Sequence, residues 1–425
     1  MSDVLLIGHG IVGRGVLRHL RGHITVVDRV PVQVQALPGQ TVDVIQASVN
    51  PYTWLDLLER HTRPGTIVVE TATEIDTAEV VAWCHRNGRH FVNTVADIWH
   101  PTLMEWSEGY RRIEGLMDRI VAPLLALNDA HPSGPTSVVM HGANTGMVNH
   151  FFKQAMRGLA RQRGLSIEQI GAEVRAAYVV EKDTICFRPG FEPDRGTFYN
   201  TWNIREFLIE SAARPEYPQG GAVAIAPRAL QRDLFLDDTA VKGRIVSHEE
   251  TFTMAHWLDR VGGNRGATVQ FLYEASPVGL WSRVHHPFGS NYVERIVTSE
   301  VDCGFDLVAA LVVLKDGANW YCGHRMTNDE AHGFFAETNA TAWFVSAGVL
   351  AAIDWIREHP DRGIRLPEFA DDAAILKRFH RWCDPAHFVS RPVRNLFLSE
   401  PYADIGVGNL YAQETERSAV AAMAR

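Results

Sequence analysis

Cysteine is scarce in this chain of 425 residues: Cys84, Cys186, Cys303, Cys322 and Cys383 make an odd total of five. None falls in a C-x-x-C pair. That spacing argues against a disulfide framework or a thiolate zinc site and for a reducing compartment. Basic residues are also in deficit, 41 Lys and Arg against 50 Asp and Glu, for a formal charge of −9. The deficit disfavours a dedicated nucleic-acid binder, which carries a basic excess or stripe. The longest apolar run, about 340–353, is closed by Asp354, short of the ~20 residues that a bilayer requires. Met1-Ser2-Asp3 leads into an apolar strand with no basic segment and cleavage site before it. The expectation is a soluble, cytoplasmic protein with neither a membrane nor a nucleic acid as partner. No H-E-x-x-H or similar compact ligand set occurs, and His285-His286 are adjacent rather than one helical turn apart. No metal is therefore expected. A G-x-S-x-G elbow and a P-loop lysine are missing too.

What is there is globular: 46% hydrophobic and 21% charged residues, long enough for two or three domains. Val4–Ile7 is an apolar run followed by Gly8-His-Gly10-Ile11-Val12-Gly13 and a helical pattern, then a second strand ending at Asp28. A G-x-G-x-x-G alone is a weak signal, but here it follows a strand, opens a helix and has an acid at the right distance. Gly8 permits the tight turn, Gly10 lets backbone approach a pyrophosphate, and Gly13 lets the helix pack on the strand. The phosphates would sit on the free N–H groups of the helix start. Asp28 suits ribose hydroxyls and repels a 2′-phosphate, which favours NAD over NADP. Strand-like and helical segments alternate on through 41–48, 52–61, 66–71, 76–87 and 90–94, the pattern of a doubly wound parallel sheet of Rossmann type. Glu70, Thr71, Asn93, Thr94 and Asp97 fall at its ligand-binding carboxyl edge. For Glu70 a helix-capping or solvated role competes with a cofactor role.

The pattern changes after Pro123. A strand at 136–141 leads through Gly142-Ala-Asn144-Thr-Gly146 into a helix, and Asn144 reads locally as a left-handed turn residue or a site residue. Tyr178 to Thr184 ends a strand in Glu181-Lys182-Asp183. Asn200-Thr201-Trp202 then precedes a helix carrying Glu206 and Glu210. Carboxylates beside a tryptophan face are what an ammonium ligand needs; an exposed helix face beside a core tryptophan is the competing reading. Leu307–Arg325 reads as a hairpin turning at Asp316-Gly317. Residues 339–356 form an apolar helix for a core or an oligomer interface, and 361–373 read as a polar surface loop. The division expected is 1–135 for the nucleotide domain, completed by about 395–425, and 136–394 for an α+β substrate and dimerisation domain.

Those residues together resemble bacterial homospermidine synthase, of the saccharopine-dehydrogenase-like group. The matching segments are Gly8–Gly15, Gly142–Val148 with Phe151–Ala155, Glu181–Thr184, Asn200–Trp202, and Asn339–Thr341 with the helix after it. The resemblance implies NAD reduced and reoxidised within one turnover, with putrescine oxidised to an imine, amine exchange with a second putrescine, and reduction of the product imine. It implies a homodimer, catalytic roles for Asn144 and Glu181, and substrate contacts at Trp202 and Glu210, with Asp97 at the entrance. Gly8, Gly10, Ile11, Val12, Gly13, Asp28, Thr71, Thr94 and Asn144 would line the cofactor. Thr145 stands where the family usually has proline, and Ser276 where it has a histidine near the reacting amine. Serine does not titrate near neutrality, which leaves Glu274 or Glu181 to replace that histidine and leaves the amine substrate open. Two further readings stay open: a reductase of saccharopine or carboxyspermidine type using Arg188, Arg195 or Arg205 for a substrate carboxylate, and a non-catalytic NAD sensor.

Overall fold

The computed structural model describes residues 3–99, 116–212, 215–226, 230–287 and 290–403. The chain divides into two compact units. The first is Met1–Glu108, Asp118–His150 and Ala342–Asp384; the second is Gly109–Met117, Phe151–Thr341 and Pro385–Arg425.

The first unit is built on a seven-stranded sheet in which every neighbouring pair is parallel. Its order is Ile364–Arg365, Ser137–Val138, His90–Asn93, Ile67–Glu70, Val4–Ile7, Gly22–Asp28 and Gln40–Gln46. The two innermost strands, Val4–Ile7 and Ile67–Glu70, are buried at every position, as strands covered on both faces must be. The order in which strands are added reverses between them, outward to Gln40–Gln46 on one side and to His90–Asn93 on the other, and ligands of such folds bind beyond the strand ends at that point. The alternation in the sequence thus becomes the doubly wound sheet it implies.

The domain division differs from the expected one. The chain returns to the first unit through 342–384, whereas 385–403 belongs to the second unit and 404–425 lies outside the described residues. The segment 361–373 is no surface loop: Ile364–Arg365 forms the sheet edge, Leu366 and Glu368 are buried, and a helix starts at Asp372. Polar composition misled here because Ile364 and Leu366 alternate inward. The buried Glu368 carboxylate accepts from the Asn149 amide, which gives one of its oxygens a partner in place of water.

The second unit carries an eleven-stranded mixed sheet. Its central order is Phe388–Arg391, Asn319–Thr327, Phe305–Leu314, Val174–Asp183, Thr268–Glu274, Thr239–Val246, Leu230–Leu236 and Leu396–Leu398. Val174–Asp183 runs parallel to Thr268–Glu274 and antiparallel to Phe305–Leu314, and the expected hairpin joins Phe305–Leu314 to Asn319–Thr327. Strand alternation sorts the side chains. Tyr178, Val180, Leu272, Leu307, Ala309, Leu311 and Tyr321 build an apolar core on one face. Glu181, Asp183, Tyr273 and Asp306 therefore project from the other.

All five cysteines lie outside any disulfide. Two that the sequence separates widely meet nonetheless: Cys186 and Cys303 are paired across adjacent strands with Sγ atoms 3.1 Å apart.

Candidate functional site

In the first unit the glycine loop does three separate jobs. Gly8 has φ +93°, and a Cβ there would strike the backbone of Thr71 and Ala72 at about 3 Å. Gly13 lies so close to the strand that a Cβ would sit 2.1 Å from the Gly8 carbonyl oxygen. Gly10, by contrast, has no atom within 4 Å of a Cβ position, so open space lies where a ligand backbone would approach. Helix Ile11–His19 starts there with no side-chain cap, leaving its positive end available to an anion. Thr71 Oγ1 donates to the Gly8 carbonyl at 2.9 Å, tying the loops after the two innermost strands together. Asp28 ends the second strand, its carboxylate accepting from the His9 N–H at 2.7 Å and the Val30 N–H at 3.0 Å. A carboxylate has about four acceptor sites, so capacity remains for ribose hydroxyls.

Further along that edge Glu70 is buried, which with the nearby Asp97 charge pushes its carboxyl well above the usual range. It is neither solvated nor a helix cap. Asp97 accepts from the Ile98 N–H at 2.8 Å and from the Glu74 N–H. Asn144 sits in the first unit, in the loop 142–146, with a cis bond to Thr145. Thr145 Oγ1 donates to the Thr94 carbonyl at 3.3 Å. The loop is held by a Gly142 N–H bond to the Thr145 carbonyl at 2.8 Å. Behind it, a Cβ at Gly348 would lie 2.2 Å from the Gly142 oxygen.

In the second unit, three separated segments converge on one carboxylate. Asp183 Oδ2 accepts from Thr201 Oγ1 at 2.7 Å and Thr341 Oγ1 at 3.3 Å, and Oδ1 from the Ile185 N–H at 2.8 Å. Asn339 Nδ2 donates to the Thr201 and Val297 carbonyls, both at 2.8 Å. Burial still dominates these bonds and raises Asp183 to about 7. Directly across the strand pair stands Asp306, raised well above the carboxylate range by burial and by the Glu181 and Asp183 charges.

Glu181 is buried two residues before Asp183, in register with Tyr273. The Tyr273 hydroxyl accepts from Trp202 Nε1 at 3.1 Å, fixing the indole beside the acids, and Phe207 packs against that ring at 6.1 Å. Glu210 is raised strongly by burial, opposed by His248 and reinforced by Glu249, Glu206 and Glu181. His248 Nε2 lies 3.7 Å from Glu210, and its Nδ1 meets Glu249 at 3.1 Å and Glu250 more closely. Burial alone would lower His248, but these carboxylates outweigh it and hold the imidazolium charged. Arg244, in register with Tyr273, is a further cation on this face. The arrangement concentrates carboxyl groups that cannot all ionise in a buried place unless a cation joins them.

Glu181, Trp202 and Glu210 are thus brought together within the second unit, while Asn144, Asp97, Thr71, Thr94 and the glycine loop belong to the first. Glu274 and Ser276 are placed elsewhere. Glu274 lies one residue from Tyr273 and so faces the opposite side of the sheet, accepting from the Lys242 N–H at 2.9 Å with Lys182 at 3.4 Å. Ser276 is a buried helix cap that accepts from the Gly279 N–H at 3.0 Å. Sequence reasoning missed His248, Glu249, Tyr273 and Asp306. The run His248-Glu249-Glu250 at the start of the helix Glu249–Gly262 was the one visible signal; the others meet only through strand register. Two clusters of metal-ligand type also occur among the described residues, His248–Glu249–Glu250 and His324–Glu330–His387, although the spacing suggested none.

Comparison with known proteins agrees with these features. Residues 4–138 match the saccharopine dehydrogenase NADP binding domain. Homospermidine synthase of Blastochloris viridis is 26% identical over 420 residues, covering 85% of this chain and 86% of the relative. That of Mesorhizobium japonicum is 24% identical, with 85% of each covered. Among solved structures, a homospermidine synthase from Legionella pneumophila in complex with NAD has a TM-score of 0.77 at 19% identity, covering 92% of this chain and 91% of the other. Saccharopine dehydrogenase (L-Glu forming) of Saccharomyces cerevisiae has a TM-score of 0.56 at 11% identity, covering 92% and 100%. Residues 4–138 are thus similar to a dinucleotide-binding domain of saccharopine dehydrogenase type, and the chain is similar to homospermidine synthases over most of its length.

Proposed function

We propose that this enzyme is an NAD-dependent aminoalkyl transferase acting on diamines: it oxidises putrescine to an imine, exchanges ammonia for a second putrescine, and reduces the product imine to homospermidine. The observation that carries the reading is the buried surplus of carboxyl groups around Trp202 and Tyr273. A ligand with positive charge at both ends answers that surplus; a substrate carboxylate would add to it, which disfavours the reductase reading.

The residues of the glycine loop fit a dinucleotide. Open space at Gly10 and the uncapped helix start suit the pyrophosphate, and Asp28 suits an unphosphorylated ribose. Bound NAD would supply hydride acceptance and return. Glu181 and Glu210 would take the ammonium groups by charge-assisted hydrogen bonds, and the Trp202 face would hold the chain between them. Asp183, balanced at about 7, is the group suited to pass protons near neutrality. His248 stays charged beside Glu249 and Glu250 and so steadies the acids rather than acting as a base. Asn144 keeps its proposed amine contact, with loss of turnover in Asn144→Ala as its check.

The direct test incubates purified protein with NAD and putrescine and follows polyamines by mass together with free ammonia. Homospermidine and ammonia with no net NADH are expected. Product formed only from NADH, an aldehyde and an amine would favour a reductase, and tight NAD binding without turnover on a panel of amines would favour a sensor.

Two further outcomes follow from the geometry. Gly10→Ala has room for its methyl and should leave the melting temperature unchanged while weakening NAD binding. Gly13→Ala has none and should lower stability as well; equal effects of the two on both readouts would reject the loop as the cofactor site. Trp202→Ala should lower kcat/KM for putrescine about two- to thirtyfold, the ~0.5–2 kcal/mol of a cation–π contact. Trp202→Phe should recover part of it, whereas a folded Trp202→Ala enzyme with full activity would remove the ring from the site.

A further inference from the structure

Residues that are far apart in sequence form a second cluster of a different chemical kind. His324 is fully buried on strand Asn319–Thr327, Glu330 lies in the first turn of helix Asn328–Phe334, and His387 ends the short turn Pro385–His387. His324 pairs in register with Phe388, so the edge strand Phe388–Arg391 delivers His387 beside it. Glu330 Oε2 is 2.8 Å from His387 Nδ1, and Glu330 Oε1 is 3.6 Å from His324 Nε2. One donor atom from each of the three lies within 4.8 Å of the others.

The start of that helix, Thr327-Asn-Asp-Glu330, has the spacing of a capping box. Thr327 Oγ1 does accept from the Glu330 N–H at 3.1 Å, yet the Glu330 carboxylate turns to the two imidazoles. The 3.6 Å separation from His324 is longer than a hydrogen bond. It is close to the ~3.3 Å between donors on a tetrahedral ion with bonds of about 2.0–2.1 Å. Two imidazoles and one carboxylate are a donor set suited to Zn²⁺, with a fourth position left to water. The His387 side chain is 26% exposed, which opens a path for the ion.

We propose that His324, Glu330 and His387 form a three-ligand site for a zinc-class divalent ion, which fastens the edge strand Phe388–Arg391 to the sheet. Val308 stands between His324 and Glu181 in the same cross-strand row. That puts two strand spacings, about 10 Å, between the ion and the amine-binding acids. The ion is therefore a clasp beside that site and not a ligand of the substrate.

The test uses untagged full-length protein, stripped with a chelator and titrated with Zn²⁺ by calorimetry and by competition with a chromophoric chelator. One equivalent should bind at micromolar or lower concentration and raise the melting temperature. Co²⁺ in its place should give the intense visible absorption of a tetrahedral centre. His387→Ala and Glu330→Gln, checked for folding by circular dichroism, should each weaken Zn²⁺ binding at least about tenfold, while His248→Gln should leave it unchanged. Folded wild-type protein without stoichiometric binding would overturn the proposal. So would undiminished affinity in His387→Ala, or binding lost in His248→Gln, which would assign the ion to the other cluster.

Discussion

Glu181→Gln is expected to lower kcat/KM for putrescine by about two to three orders of magnitude while leaving the fold as stable as before or more so. The side chain sits on the central strand of the second unit, buried and fixed by register beside Tyr273. Glutamine keeps the shape and one acceptor but removes the charge, so a bound ammonium loses its counter-ion in a place that water does not screen. Breaking a buried ion pair costs about 3–5 kcal/mol, and each ~1.36 kcal/mol is tenfold in rate. Stability moves the other way because the free protein no longer holds one of several crowded carboxylates, Asp306, Asp183 and Glu210 among them. Glu274→Gln is the matched control. It lies seven residues along its strand, equally acidic in sequence, but on the opposite face against Lys242 and Lys182. Its kcat/KM should stay within a few-fold of wild type. Comparable losses in both variants would place the amine site somewhere other than this face.

That contrast marks how far the sequence is legible. The nucleotide loop could be read almost completely, because its chemistry is local: three glycines, an uncapped helix and Asp28 all act within one strand–helix–strand unit. Trp202 and Glu210 were also readable as candidates, since the tryptophan leads directly into the helix Ile204–Ala212 that carries the acid. The acidic face of the second unit was only half readable. Glu181 and Glu274 are both strand-end acids, and nothing short of the pairing register says which side of a two-residue period each one takes. Asp306 escaped notice inside an apolar run, where its partner Asp183 is visible only through the antiparallel pairing. Ser276 was drawn toward the site by alignment with the family's histidine, whereas its hydroxyl caps the helix after it. The basic group that does lie by Glu210 is His248, on another element altogether. Motif order identified the relatives; side-chain direction had to come from the sheet.

Acid crowding also sets a pH dependence. Burial lifts Asp183 from the ordinary aspartate value of 3.8 to about 7. Between those values the folded protein keeps a proton that the unfolded chain has lost. The destabilisation from this carboxyl therefore grows as pH climbs from about 4 and is complete above about 7. Asp183→Asn removes it, and the threonine hydroxyls of Thr201 and Thr341 can turn to accept from the new amide. Relative to wild type without ligand, the variant should gain stability steadily over that window, by about 2–4 kcal/mol at its end, and the gap should then level off. His248 and Glu210 are common to both proteins, so their own titrations largely cancel in the difference. Putrescine should close the gap in wild type alone, because an ammonium beside the cluster favours the ionised acids. Its binding should then release protons near neutrality, seen by calorimetry in two buffers of different ionisation enthalpy, and its affinity should rise from pH 6 to pH 8. A flat stability difference across pH 4–7, or putrescine binding without proton release, would mean that these carboxyls do not receive the amine.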